Sequence, residues 1–192
     1  MEDIEIARLK NLERMKSHQD IYGEEVWIDG GALHFTPKYL FDGAFSVFLP
    51  AEFQEMSESM KKSKYPTKDY PAVVHSNLMT DINIGFNLLD VQLAGSQVES
   101  AVTGIKSGLS ESRSDIKILT TDFLETKTHN KIGYFDFITP SQDGPLYQML
   151  AFLSMHGKYL QINCNCREKS METWNPIFIQ ILVSIKPEVR KS

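Results

Sequence analysis

Four strand-like segments follow one another in the second half of the chain, and this run constrains the fold more than any other feature. The predicted strands span residues 115–127, 131–139, 146–155 and 158–166. The links between them contain THN, PSQDGP and HGK, which are short and rich in turn-forming residues. Because parallel pairing needs a crossover of a dozen or more residues, these links predict an antiparallel meander.

The last predicted strand has one apolar and one polar face. Alternation places Cys164 and Cys166 on the side of Leu160 and Ile162, so both thiols are predicted to pack in the core as small apolar groups. Their C-x-C spacing matches neither a zinc pair nor a C-x-x-C redox motif, and a reactive or metal-binding thiol remains the alternative. The opposite face carries Tyr159, Gln161, Asn163 and Asn165.

Two amphipathic helices are predicted to dock on this sheet. The first covers residues 96–112, begins with an S-x-x-E capping box at Ser96 and Glu99, and contains Gly104, which would allow close approach to a sheet. The second lies near the C-terminus, with Asn175 as its N-cap and Pro176 as its first helical residue. Its apolar side chains recur at helical spacing, in a segment too short to span a membrane: Trp174, Ile177, Phe178, Ile181, Leu182 and Ile185.

The first half of the chain is predicted to add strands and short helices. Gly30–Gly31 indicates a hairpin or bulge, and a strand ending at Pro50 leads into a short helix over residues 50–62. Residues 3–18 are predicted to form a helical lead-in with a weak apolar stripe. We therefore expect a lead-in over residues 1–20 and a single domain over residues 21–192.

Charge and composition limit the classes of function. The formal net charge is -5 and the sequence pI is about 5.5, a balance that opposes nucleic-acid binding, which usually needs clustered Lys and Arg. The acidic start MEDIEIARLK does not resemble a secretory signal, and no apolar run reaches membrane-spanning length. We expect a cytoplasmic, soluble protein without membrane insertion.

No pattern of residues predicts a catalytic, cofactor or metal site. The five histidines form no H-x-x-x-H or HExxH motif, and phosphate-binding glycine loops and G-x-S-x-G are missing. The loop at residues 63–71, SKYPTKDYP, is instead predicted to bind a partner protein through Tyr65, Asp69 and Tyr70, because exposed tyrosines supply large contact area at low entropy cost. The alternative is a plain surface loop whose tyrosines cover the sheet edge.

One stretch resembles a known family. In LFDGAFSVFLPAEFQEMS, a Gly43–Ala44 step runs through Leu49–Pro50 into a short helix, which is similar to the opening of the PsbP-like superfamily, including Mog-type and DcrB-like proteins. The resemblance covers residues 26–186 and extends to the closing ILxSI, here Ile181 to Ile185. It implies an α/β/α sandwich and a mostly non-catalytic role. Acidic Ran-binding residues of Mog-type members have no match in the basic segment KKSKYPTKDYP.

These observations predict an α+β fold, with an antiparallel sheet of about six to eight strands, a C-terminal meander and helices on both faces. The predicted function is a non-catalytic protein-interaction module whose partner is another protein. Two alternatives remain: a small-ligand-binding protein or enzyme with a pocket between sheet and helix, and a structural protein that self-associates through residues 3–18.

Overall fold

The computed structural model describes residues 20–28, 30–65 and 70–189, and the predicted lead-in helix lies outside them. The helices are α1 (Glu58–Lys64), α2 (Val98–Ser112) and α3 (Met171–Val183). The strands are β1 (Val26–Ile28), β2 (Gly31–Leu33), β3 (Phe35–Leu40), β4 (Phe45–Pro50), β5 (Gln54–Glu55), β6 (Val73–Ser76), β7 (Asn83–Gln92), β8 (Lys117–Glu125), β9 (Lys131–Thr139), β10 (Leu146–Met155), β11 (Lys158–Arg167) and β12 (Lys186–Pro187).

The largest element is a seven-stranded sheet with the order β5-β6-β7-β11-β10-β9-β8, in which all neighbours pair antiparallel. Its second half, β8 to β11, is the predicted meander, which is confirmed. Two smaller sheets accompany it, β12-β4-β3 and the hairpin β1-β2. The hairpin turns at Gly30, whose φ of 82° lies in the left-handed region that glycine adopts readily.

One face of the large sheet packs against α3 and the sheet β12-β4-β3. The six apolar residues predicted for the helix face are all buried, with exposures of 3% or less. They meet the apolar side of β11, where Cys164 and Cys166 form no disulfide and are fully buried, as predicted. Burying this many large side chains commits α3 to the sheet.

The other face packs against α2, which covers only the β9 and β10 half. Val98 and Val102 on the helix contact Phe135, Phe137 and Phe152 on the strands. Helices therefore lie on both faces of an antiparallel sheet, and the predicted α+β fold class is confirmed. Of the described helices, α2 packs on β9 and β10 and does not extend over Asn87 on β7 and Gln161 on β11.

Several predicted element ends are wrong. Residues 54–55 form β5, so the short helix begins only at Glu58, with Ser57 as its N-cap. Ser96 lies in a 3-10 turn rather than capping α2, and the Gln97 side chain accepts a hydrogen bond from the Ala94 N–H at 2.9 Å. Helix α3 begins at Met171, earlier than predicted, so Pro176 lies inside the helix instead of at its first position.

Asn175 is not the N-cap of α3. Its Nδ2 donates to the Tyr147 hydroxyl at 2.6 Å, and that hydroxyl donates to the buried Asp136 carboxylate at 2.8 Å. The carboxylate also accepts from the Thr120 N–H at 2.7 Å. These bonds satisfy a buried acid within the core, so we interpret this cluster as structural.

Candidate functional site

The half of the large sheet that no described helix of the α2 face covers has a floor of amide side chains. Asn87 on β7 stands opposite Gln161 on β11, and Gly85 stands opposite Asn163 one pair further along. Alternation directs these four residues to the same face, away from the α3 core. They are part of a depression of about 410 Å³, here called the amide basin, lined by Tyr70, Pro71, Gly85, Asn87, Leu89, Gln161 and Asn163.

Tyr70 and Pro71 form the wall of the basin that precedes β6, and the position of this wall depends on Gly85. Pro71 lies so close to Gly85 that a Cβ there would stand 2.6 Å from the proline Cγ. Any other residue at this position would push Pro71 outward and, with it, the adjacent Tyr70. Gly85 therefore sets how closely the wall approaches the floor.

The amides of the basin keep unused hydrogen-bonding groups. The Asn87 Oδ1 accepts from the Ala72 N–H at 2.7 Å, which fixes the amide. Gln161 forms no side-chain hydrogen bond to any described residue. The Asn163 Oδ1 is buried and lacks a hydrogen-bond partner among the residues that the structure describes. Buried polar groups are normally paired, so an unpaired one beside a basin is informative.

The two tyrosines of the predicted binding loop come together, although neither is fully exposed. The rings of Tyr65 and Tyr70 stack with centroids 6.1 Å apart, and both side chains are half-buried, which corrects the expectation of exposed tyrosines. Burial raises the pKa of Tyr65, an effect opposed by its hydrogen bond with Asn165. The Tyr70 hydroxyl donates to the Glu58 carboxylate at 3.3 Å. Asp69, the third predicted residue, lies outside the described residues.

A chain of polar contacts connects Tyr65 to the β6–β7 turn. Asn165 accepts a hydrogen bond from Asn83 Nδ2 at 2.8 Å, and Asn83 Oδ1 accepts from the Ser76 hydroxyl at 2.9 Å. The carbonyl of Thr80 in the turn accepts from Asn83 at 3.2 Å and from Lys64 at the end of α1. These hydrogen bonds connect the turn to Asn165, beside Tyr65, and to the end of α1.

This turn presents two large apolar side chains to solvent. Leu78 is 83% exposed and Met79 is 79% exposed. Behind them the Asn77 side chain accepts hydrogen bonds from the N–H groups of Asp81 and Ile82, each at 3.1 Å. Thr80 has a φ of 55°, which is uncommon for a β-branched residue and costs backbone energy. We call Tyr65, Tyr70, Leu78 and Met79 the tyrosine–turn surface.

Cations border the tyrosine–turn surface. Lys64 lies near Arg167 at the end of β11, and Asp81 supplies one opposing charge. Burial, followed by the repulsion from Arg167, lowers the pKa of Lys64, whereas Asp81 raises it. Two cations, Lys64 and Arg167, thus lie with one carboxylate, Asp81, beside the turn, although the chain as a whole is negative.

Other candidates from the sequence give no reactive centre. Burial, reinforced by Cys166, raises the pKa of the Cys164 thiol, which disfavours the reactive thiolate. His156 lies in a turn and its Nε2 is 2.8 Å from the Ala44 carbonyl. In the described ranges no three His, Cys, Asp or Glu side chains group as a metal site would require.

Sequence reasoning missed the amide basin and the apolar turn. The polar face of β11 was visible from alternation, but the neighbouring strand and its register were needed to bring Asn87 opposite Gln161. Leu78 and Met79 lie just after β6, where apolar residues are normally taken as part of the strand. Their exposure depends on the Asn77 turn, which single-sequence periodicity does not predict.

No protein-family model and no curated protein sequence matches the chain. Among solved structures, cyanobacterial PsbP (CyanoP) from Synechocystis sp. PCC 6803 matches with a TM-score of 0.57 and 10% identity, covering 84% of this chain and 97% of that one. LpqN, involved in cell envelope biogenesis of Mycobacterium tuberculosis, matches with a TM-score of 0.54 and 10% identity, covering 85% and 98%. None of the described helices has the length and apolar character to cross a membrane. The sheet order, the flanking helices and these two likenesses show that the chain has the PsbP-like fold, as its sequence resemblance implied.

Proposed function

We propose that this protein is a non-catalytic protein-interaction module that binds its partner through the tyrosine–turn surface. The observation that carries the proposal is the exposure of Leu78 and Met79, 83% and 79%, on a turn that hydrogen bonds from Asn77 and Asn83 hold in place. Adjacent apolar side chains on a braced turn can serve as interface anchors, because little backbone entropy is lost when they enter a partner's pocket.

The chemistry of the surface indicates what kind of partner fits. Leu78 and Met79 require an apolar cleft, while Lys64 and Arg167 favour carboxylates at its rim. The stacked ring of Tyr70 adds contact area beside the turn. These groups bind by contact and charge rather than by proton transfer, which supports the non-catalytic part of the proposal.

A photo-crosslinking amino acid tests the surface directly. Placed at position 79 of the full chain in its host cells, it should give one dominant protein adduct. The matched control is position 91, because Val91 is 57% exposed and lies at the other end of β7. In the Leu78→Ser, Met79→Ser variant, recovery of the same partner should fall about tenfold, since two buried apolar contacts are lost. Equal adducts at positions 79 and 91, or unchanged recovery, would contradict the proposal.

A cytoplasmic location is part of the same proposal. Cys164 and Cys166 are not joined in a disulfide, which fits a reducing compartment, where disulfides are rare. Fractionation of host cells tests it, and recovery of the protein in the envelope fraction would overturn it.

A further inference from the structure

We propose that the amide basin is a second binding site, whose ligand is a neutral saccharide unit. The basin lies on the sheet face over β7 and β11, beside the part that α2 covers, and its lining shares only Tyr70 with the tyrosine–turn surface. It goes beyond the proposed protein interaction because its floor residues take no part in that surface.

The charge of the basin selects an uncharged ligand. Its lining consists of three amides, one tyrosine and three apolar or glycine residues. An anionic or cationic ligand would lose hydration there without gaining an opposite charge. A neutral molecule that carries many hydroxyl groups avoids the cost of dehydrating a charge.

The hydrogen-bonding groups of the floor match hydroxyls. Because Asn87 Oδ1 is held by the Ala72 N–H, its Nδ2 group is fixed as a donor toward a ligand. Gln161 offers both a donor and an acceptor. The buried Asn163 Oδ1 provides an acceptor that rotation of its amide would turn toward the basin. A hydroxyl donates and accepts at the same atom, so adjacent sugar hydroxyls can satisfy all three amides.

The shape of the basin favours a compact ligand over a passing peptide. At one end the floor runs on to Asn165, which lies beside Tyr65, and at the other end Tyr159 packs on Phe152 beneath α2. Pro71 and Leu89 supply apolar surface for the C–H groups of a sugar ring. The volume of about 410 Å³ lies toward the lower part of the usual range for small-ligand sites.

Nuclear magnetic resonance of the full chain tests this site. Glucose, galactose, maltose and cellobiose are titrated separately at millimolar concentration, with N-acetyl-alanine amide as the uncharged peptide probe. At least one sugar should shift the side-chain amide signals of Asn87, Gln161 and Asn163, and the peptide probe should not. If no sugar shifts these signals, or if only the peptide probe does, the proposal is overturned.

Gln161→Leu provides the variant, because that side chain forms no hydrogen bond within the described protein and its loss should leave the fold intact. We expect the dissociation constant for the sugar to rise about tenfold. Gln54→Leu removes an exposed amide from β5 and should leave binding unchanged. Equal affinities in both variants would place the sugar elsewhere and overturn the proposal, whereas the crosslinking result at position 79 does not depend on either.

Discussion

His75 is a titratable side chain with an unusual environment. It is only 7% exposed, and both ring nitrogens lack hydrogen-bond partners among the described residues. Burial lowers its pKa below the ordinary value, an effect that Glu55 opposes and Lys38 reinforces. The folded state therefore keeps the ring neutral at a pH where the unfolded chain, with a pKa of about 6.5, already binds a proton.

This difference predicts that acid weakens the fold through His75. As the pH falls below about 6.5, only the unfolded state gains the proton, so the free energy of unfolding should fall by up to about 1.4 kcal/mol per pH unit. In His75→Gln the slope measured by urea unfolding between neutral and mildly acidic pH should be shallower. His129→Gln, at a side chain 88% exposed, is the control and should keep the original slope. Identical slopes in the wild type and His75→Gln would contradict the prediction.

The docking of α2 depends on a glycine in the sheet below it. A Cβ at Gly133 on β9 would stand 2.6 Å from Val102 Cγ2 and 2.9 Å from Phe123 Cε1. Val102 is β-branched and lies inside the helix, so its rotamer cannot easily yield. Gly133→Ala should lower the free energy of unfolding by about 1–3 kcal/mol, measured by urea titration.

Gly104 on the same helix supplies the matched control. The sequence suggested that this glycine permits close approach to a sheet, but a Cβ there meets no atom within 4 Å among the described residues. Gly104→Ala should therefore stabilise the protein by about 0.5–1 kcal/mol, because alanine favours the helix. If both substitutions have the same sign, the packing explanation for Gly133 is wrong.

Elements with strong periodicity were predicted well, whereas the starts of α1 and α3 were not. The β9 and β10 bounds and the buried face of α3 follow from burial patterns that repeat over many residues. At the start of α3, the sequence favoured Asn175 as a cap, but the buried Tyr147 and Asp136 give its amide better partners inside the core. Before α1, residues 54–55 pair with β6 as β5, although the sequence predicted a helix there. Tertiary contacts decided both cases.

At the scale of the whole molecule, the candidate sites depend on how distant segments meet. The tyrosine pair was anticipated because both residues lie in one loop, although Asn165, which binds Tyr65, comes 100 residues later. The amide basin combines side chains from β7, β11 and the segment before β6. A sequence pattern describes each segment separately, whereas the register between β7 and β11 determines which amides become neighbours.

The two apolar cores lie on opposite faces of one sheet, and this arrangement predicts cooperative unfolding. Neighbouring residues of β9 and β10 alternate between the α3 core and the α2 core, so neither core can open without disturbing strands that the other needs. Residues 21–192 should therefore unfold as a single domain, as the sequence predicted. Trp27→Phe leaves Trp174 to report on the α3 core by fluorescence in urea, while hydrogen exchange of α2 reports on the other face. Both should give the same midpoint; an earlier transition of α2 would show that its half of the sheet forms an independent unit.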